Sequence, residues 1–424
     1  MKTRRWSRRT ARVLGSAALA LAAVAAASSS AASAAVTAPA KGCCHLLTES
    51  AAVGWGNNFV GQLGDGINLQ VQSPNWTAVS GLTSGVVQVS AGNDFAVGLT
   101  SDGSVWAWGA NLDGGTSEYS DVPVQVPGLV GVVQVSAGTS EGVALRSDGT
   151  VWTWGDNHGG DLGNGTTGPS STPVQVSGLT GITQVSAGDD YVLALRSDGT
   201  VWAWGQNDVG ELGNGTTNDS SVPVQVMGLS RVTAISAGGD HAMALATKGY
   251  VNMLSAVYGW GGNGSGQIGD GTYRERPVPV QVNGIGPQHI SAIAAGGDFS
   301  MVLGSDGSVW DWGDNFYGQL GDGNNYIAIV PVQAQGPGTG ITQISAGANH
   351  ALALLSNGTV QAWGYNGAGQ LGNGTYASNV ANPSPVQVTG LGSVTQISAG
   401  ANFSLAVHQV AFIQLPGSTK RIAT

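Results

Sequence analysis

The chain has 424 residues, including 69 Gly, 13 Trp and two Cys, and its 25 Asp+Glu outnumber 15 Lys+Arg for a formal net charge of −10. An acidic surface repels phosphate backbones and offers few cations for counterion release, so nucleic acid is excluded as a partner. Anionic membrane surfaces are disfavoured for the same reason.

The first element is an export signal. Lys2, Arg4, Arg5, Arg8, Arg9 and Arg12 precede an Ala/Leu/Val run to about Ala27, and Ala32-Ser33-Ala34 offers a small-x-small cleavage pattern. Residues 1–34 therefore predict a secretory signal peptide; the apolar run is too short for a transmembrane span. Neither arginine pair is followed by the apolar pair of a twin-arginine signal, which leaves the export route open. Cleavage would remove six basic and no acidic residues, leaving nine against 25, a balance of −16. No later stretch is long and apolar enough to span a bilayer, so the mature chain is expected to be a soluble monomer, secreted or associated with the cell wall.

A short segment, 35–50, carries Cys43 and Cys44. A ring closed between neighbours is strained and two thiols are a poor zinc set, so neither a disulfide framework nor a metal site follows. The pair reads as incidental or intermolecular. "PAKGC" lacks the leucine of a lipoprotein signal.

From residue 51 the chain repeats itself. Trp-Gly recurs at Trp55, Trp108, Trp154, Trp204, Trp260, Trp312 and Trp363, a mean period of about 51 residues, in the range of arrays and propellers. Each unit predicts four strands: one ending in QVSAG, a second reading VALR or LALR, a third VWAWG and a fourth PVQV. Short alternating runs between turn residues, without helical periodicity, indicate an all-β fold. Asp102-Gly103, Asp148-Gly149, Asp198-Gly199, Asp306-Gly307 and Asn357-Gly358 suit two-residue hairpins, whose central positions need positive φ. Period two puts Trp106 with Trp108, Trp152 with Trp154, Trp202 with Trp204 and Trp310 with Trp312 on one face, predicting packing between sheets. Gly92, Gly138, Gly188, Gly238, Gly296, Gly347 and Gly400 end the small-residue word, which places that strand innermost, where strands crowd an axis. The chain begins with third and fourth strands and ends, before 408, with a first and second. Seven blades follow, one assembled from both termini so that no sheet edge is free. In the tail, 409–424, the segment Val410 to Leu415 is surplus and competes for that slot. An insertion at Asn252 to Val257, with Met253 and Leu254, reads as a lengthened hairpin or a protruding wedge.

The wording itself, "WGDNFYGQLGDG" from Trp312, "WGYNGAGQLGNG" from Trp363 and "AGGDHAMAL" from Ala237, resembles the RCC1 (regulator of chromosome condensation) repeat family over nearly all of the mature chain. The second unit, "WGANLDGG", lacks the G-Q-L-G word. The resemblance implies a seven-bladed β-propeller. It also brings the family's best-known activity, guanine-nucleotide exchange on the GTPase Ran with docking on chromatin, as an alternative that export and an acidic charge oppose. Secreted bacterial propellers with similar repeats include inhibitors of β-lactamases, which cover an active-site mouth with aromatics. Here that turn position is Asp, Asn or Ser, so the resemblance implies the mode without the target.

Strand alternation puts the inner turns and the long G-Q-L-G loops on one face and the Asp-Gly hairpins on the other. Residues that vary between repeats thus gather on one rim, as is usual for loops on rigid scaffolds. Around the channel mouth stand Asp94, Ser140, Asp190, Asp240, Asp298, Asn349 and Asn402, with Asp189, Glu141 and Tyr191 adjacent. Tyr119, Tyr273, Tyr317, Tyr326, Tyr365 and Tyr376 fall further out with Phe59 and Phe316. An acidic centre with an aromatic margin predicts a site for a protein partner, basic or cationic. Backbone turn chemistry is the competing explanation for these Asp and Asn residues.

An enzyme is not expected. His241 and His350 occupy a repeat position where the resemblance implies histidine, His158 and His289 lie in a loop and a connector, and no nucleophile or zinc motif appears. Asp190, Asp240 and Asp298 as paired carboxylates of a polysaccharide lyase or glycosidase remain the alternative. No cofactor is expected, and without an EF-hand or nonapeptide calcium spacing no metal site is expected.

Overall fold

The computed structural model describes residues 45–67, 71–110, 119–248, 254–285, 289–377, 380–414 and 421–423. The signal segment, Cys43, Cys44, most of the "WGANLDGG" loop and Met253 lie outside the described residues. Among those described, no helix is long and apolar enough to cross a membrane.

The chain forms seven antiparallel sheets, each a blade. Blade 1 runs from the inner strand Val86–Ala91 to the outer strand Tyr119–Gln125, blade 2 from Val132–Ala137 to Ser170–Gln175, and blade 3 from Ile182–Ala187 to Ser220–Gln225. Blade 4 spans Val232–Ala237 to Arg276–Gln281, blade 5 Ile290–Ala295 to Ala328–Gln333, and blade 6 Ile341–Ala346 to Val386–Gln387. Blade 7 closes the ring as expected from the termini, its inner strands Val394–Ala399 and Phe403–Gln414 coming from the end of the chain and its outer strands His45–Gly56 and Ser73–Ala78 from the beginning.

That closure is longer than the sequence reading allowed. His45–Gly56 pairs with Phe403–Gln414 from His45↔Gln414 to Gly56↔Phe403. Val410 to Gln414 therefore does not compete for the slot; it continues the same strand beyond the blade, paired with residues 45–49. The paired strands pass both the 51 and the 408 boundaries. The short strand Arg421–Ala423 adds to the far side of this extension. The hairpin of blade 4 is likewise lengthened, pairing as far as Lys248↔Leu254.

Three devices hold neighbouring blades together, and all are written in the repeated words. The seven inner glycines are forced by close approach: a Cβ on Gly188 would stand 2.5 Å from the Gly238 carbonyl, and one on Gly400 2.5 Å from that of Gly92. That contact distance excludes any side chain. After six of the seven glycines the next residue donates its N–H to the next blade's glycine carbonyl, as Asp189 does to Gly238 (3.2 Å), Gly297 to Gly347 (3.1 Å) and Ala401 to Gly92 (3.0 Å). Second, every inner strand carries a bulge, such as that between Ile182 and Gln184. A bulge re-aims the following side chain, and Gln184 reaches sideways to bond both the N–H and the carbonyl of Ile235 at 3.1 Å. Gln88, Gln134, Gln343 and Gln396 do the same to Val135, Val185, Ile397 and Val89. Third, the inner serine accepts the next blade's alanine N–H, as Ser186 does from Ala237 at 2.9 Å.

The fully buried tryptophans are Trp55, Trp108, Trp154, Trp204, Trp260, Trp312 and Trp363. Each can withdraw about 150–250 Å² from water, and for six of them, all but Trp154, the indole N–H donates across the junction to a carbonyl among the described residues, Trp204 to that of Asp161 (2.8 Å) and Trp312 to that of Gln267 (2.8 Å). Trp106, Trp152, Trp202 and Trp310 share their face but not their depth. They are half-buried because they sit toward the hairpin end of the same strand, where Arg146 and Arg196 cover Trp152 and Trp202.

Candidate functional site on the loop face

The tip of every inner turn and the start of every long loop are tied by one backbone bond. Gln206 N–H reaches the Asp190 carbonyl at 2.8 Å, and Asp314 reaches that of Asp298 at 2.9 Å. The loops are clamped from within by the asparagine of the WG-x-N word. Asn207 accepts from Leu212 N–H (2.9 Å) and donates to the carbonyls of Thr216 (3.1 Å) and Asn218 (2.9 Å). Asn157, Asn263, Asn315 and Asn366 repeat the arrangement. These asparagines are buried, so the rim is built on preorganised loops.

The glutamine of the G-Q-L-G word links each loop to its surroundings. Its amide oxygen accepts an N–H of its own loop, Ser265 for Gln267 (2.9 Å) and Ala368 for Gln370 (2.9 Å). Its amide nitrogen donates to the next blade's inner turn: Gln62 to Asp94 (3.2 Å), Gln267 to Asp298 (2.8 Å) and Gln370 to Asn402 (3.4 Å). In blade 5 Gln319 donates instead to Asp314 of its own loop. These contacts explain the turn carboxylates of Asp94 and Asp298, which face the preceding blade and do not cap their own backbone.

Blades 2 and 3 break this pattern. Their loops read G-D-L-G and G-E-L-G, with Asp161 and Glu211 where the others carry glutamine. Both are buried, and the next inner turns present Asp190 and Asp240, so acid stands against acid. Burial, then the charge of Asp190, pushes the Asp161 carboxyl up to about 7; burial raises Glu211 to about 6, with Asp240 contributing. One oxygen of Asp161 has no hydrogen-bond partner. Asp190 is also one of three non-glycine residues with positive φ among those described, at 60°. Asp156, Asp189, Asp208 and Asp219 surround the same two junctions. Sequence reasoning missed Asp161 and Glu211, although the signal was a carboxylate replacing an amide in two of the repeated words.

The other half of the rim is aromatic. Phe316 and Tyr317 meet edge to face at 4.9 Å between ring centroids, and Tyr317 packs on Tyr365 of the next blade at 4.5 Å. Phe316 is 68% exposed and Tyr326 76%, an arrangement that leaves aromatic surface open to a partner. Phe59 and Tyr376 add exposed rings in the loops of blades 7 and 6, the Tyr376 hydroxyl donating to the Gln72 carbonyl at 2.6 Å. Blades 6 and 7 place Asn349 and Asn402, not aspartate, at the inner turns. The acidic and aromatic characters expected from sequence are weighted by sector: the facing carboxylates gather over blades 2 to 4 and continue to Asp298 and Asp314 in blade 5, while the packed rings gather over blades 5 to 7.

Two residues expected on the surface are not there. Glu141 and Tyr191 open the second strand of their blades, and at that position the side chain turns inward under the glycines of the channel; Phe95, His241, Phe299, His350 and Phe403 are its buried equivalents. The Tyr191 hydroxyl donates to the His241 carbonyl at 2.5 Å. Burial, and then the charge of Asp161, raises Glu141 well above the ordinary carboxylate range. Where it sits, the ring of backbone bonds skips one junction, and Thr139 donates through its hydroxyl to Asp189 at 2.8 Å. Tyr119 is exposed but opens the outer strand of blade 1, and Tyr273 is exposed on the blade 4 loop, each apart from the aromatic cluster.

The buried histidines are architectural. His241 and His350 bond through Nε2 to Ser300 (2.8 Å) and Ser404 (2.9 Å) of the next blade, whose hydroxyls donate to the carbonyls of Gln267 and Gln370. Burial pulls them down to about 4 and about 3, so both stay neutral. The central channel encloses about 320 Å³, lined by small residues with Asn93 and Asp189 as its larger polar groups.

The profile of the RCC1-like domain matches residues 114–413, and profiles of the regulator of chromosome condensation (RCC1) repeat match 54–99 and 86–114. The human E3 ubiquitin-protein ligase HERC2 is 34% identical over 153 residues, 35% of this chain and 3% of that protein. The ultraviolet-B receptor UVR8 of Arabidopsis thaliana is 35% identical over 156 residues, 36% of this chain and 35% of the receptor. The matched regions are thus about a third of the receptor and a small part of the ligase. Among solved structures, Prp20p from Saccharomyces cerevisiae superimposes with a TM-score of 0.73 at 21% identity, covering 85% of this chain and 91% of that one. Fold, repeat wording and profile agree: the chain belongs to the RCC1-like domain family.

Proposed function

We propose that the protein is a secreted, non-enzymatic binding propeller that docks a protein partner on its loop face. Its acidic sector receives basic side chains and its aromatic sector an apolar surface. The observation that carries this reading is the division of the face: preorganised loops hold clustered carboxylates on one side and packed, partly exposed rings on the other. Such a pairing gives steering and specificity from charge and contact area from aromatics. The fold-mate Prp20p has been described with binding properties toward Gsp1p and histones, which supports a binding role for this scaffold. Covering a partner's functional surface, as an inhibitor does, fits a rigid rim of this kind.

The test is capture of extracellular proteins by the immobilised chain, compared with two variants, Tyr317→Ala/Tyr326→Ala/Tyr365→Ala and Asp190→Asn/Asp240→Asn. Loss of the captured partner in both variants supports docking across the whole face. Equal capture by all three proteins contradicts it.

A further inference from the structure

At three of the blade junctions a glutamine amide donates to the acidic or amide group of the next inner turn. At the junctions of blades 2 with 3 and 3 with 4, that donor has been replaced by a buried carboxyl, while the acceptor turns, Asp190 and Asp240, remain. Each of these junctions therefore lacks the amide donor that Gln62, Gln267 and Gln370 supply at three others. We infer that they form a pair of adjacent cation notches, each taking one basic side chain of the partner and releasing a proton to solvent as it does so.

The depth of the groups sets the mechanism. Asp190 is half-buried and Asp240 exposed, so both meet an incoming ammonium or guanidinium directly. Asp161 and Glu211 lie beneath them, buried, and an unpartnered Asp161 oxygen is poised there. Asp161 is surrounded by Asp190, Asp156 and Asp219, acts in turn on Glu141, and has His158 nearby, paired with Asp156 at 2.8 Å. Glu211 faces Asp240 and Asp208, with the buried Tyr191 behind. A cation at the rim stabilises the charged form of the deeper carboxyl, which then gives up its proton. By linkage, binding strengthens as pH rises through the range in which Asp161 and Glu211 titrate. Among the described residues, Arg146 pairs with Asp148, Arg196 with Asp198 and Arg276 with Asp270, away from these junctions. Two notches one blade apart call for a partner segment carrying two cationic side chains, arginine above all, whose planar fork suits carboxylates.

This inference rests on the proposed docking of a basic partner, and one experiment separates the two. Hexa-arginine peptide is titrated calorimetrically into the full chain at about pH 5.5 and about pH 7.5, each in two buffers of different ionisation heat. The wild type is expected to bind about tenfold more tightly at the higher pH, releasing about one to two protons on binding at the lower pH and few at the higher. Asp161→Asn/Glu211→Gln is expected to bind with nearly the same affinity at both pH values and without proton release. The isosteric Glu211→Gln alone, which restores the amide of this chain's other repeats, should remove the share of one notch and keeps the test open if the double variant folds poorly. The same pH dependence and proton release in the variants overturns the notches while leaving a basic partner in place. Failure of the wild type to bind the peptide at low ionic strength overturns both.

Discussion

The acidic and aromatic sectors stand on the same scaffold and differ only where the scaffold permits. Blade 3 and blade 6 share the inner glycine, the buried tryptophan and the asparagine clamp, Asn207 and Asn366. Yet Glu211 faces Asp240 after blade 3, whereas Gln370 donates to Asn402 after blade 6. A carboxyl for an amide at the loop position, with Asp240 in place of Asn402 at the facing inner turn, turns a neutral hydrogen-bonded junction into an acidic one while the inner strands keep their pairing. The scaffold thus fixes where a side chain stands, and the loop decides what chemistry it offers.

The broadest way to break this comparison is to remove the common scaffold on each side. Trp204→Ala and Trp363→Ala should each cost about 3–5 kcal/mol in denaturant unfolding, because each empties a buried site and leaves a carbonyl, of Asp161 or Gln319, unpaired. Losses differing by more than about 2 kcal/mol would show that the two halves are not structurally equivalent.

The next effect belongs to the acidic half. The folded Asp161 carboxyl keeps its proton up to about pH 7, while its unfolded counterpart loses it near 3.8. The native state therefore binds more protons in that window, and stability falls as pH rises across it. Asp161→Asn should stabilise the protein by about 1–3 kcal/mol near pH 8, with the gain vanishing below about pH 4. Unfolding free energies at the two pH values check this. Asp311 is a buried carboxyl of the other half, raised by burial and by Asp322. It stands inside blade 5 at the strand position where Thr153 serves its own loop in blade 2, so it leaves junction chemistry unchanged.

A smaller effect comes from the backbone. Asp190→Gly should stabilise by about 1 kcal/mol by relieving its left-handed conformation, while weakening hexa-arginine binding. A gain in stability with unchanged binding would remove Asp190 from the notch. The smallest stability change is expected from Tyr317→Ala/Tyr365→Ala, about 0.5–1.5 kcal/mol for the lost ring pair. That variant should lose the protein partner yet retain hexa-arginine binding, and a loss of both would mean that the sectors do not act separately.

Much of this architecture was legible because it is written in short words with one physical reading each. The Asp-Gly pairs, the seven inner glycines and the order of strands at the termini gave the blade count and the shared seventh blade. The exposed rings of Phe316 and Tyr326 and the half-buried Tyr317 and Tyr365 beside Phe316 were legible on the rim from their type and loop position. Glu141 and Tyr191 were misplaced because a residue just past a turn was read as part of the turn, although the equivalents Phe95, Phe299 and Phe403 are core types. The sectors were hidden for a different reason. Comparing repeats position by position groups residues by radius, whereas charge and aromaticity here vary with angle around the ring. Asp161 and Glu211 were overlooked inside a word taken as scaffold, and only the cross-junction bonds of Gln62, Gln267 and Gln370 show what that position does.

The central claim is that basic side chains are received over blades 2 to 4. Hydrogen exchange of the full chain with and without bound hexa-arginine tests it most directly. Protection is expected in the loops 156–165 and 206–219 and in the inner turns at Asp190 and Asp240, leaving the loops of blades 5 to 7 unaltered. Protection spread evenly around the rim, or confined to the hairpin face, would contradict it.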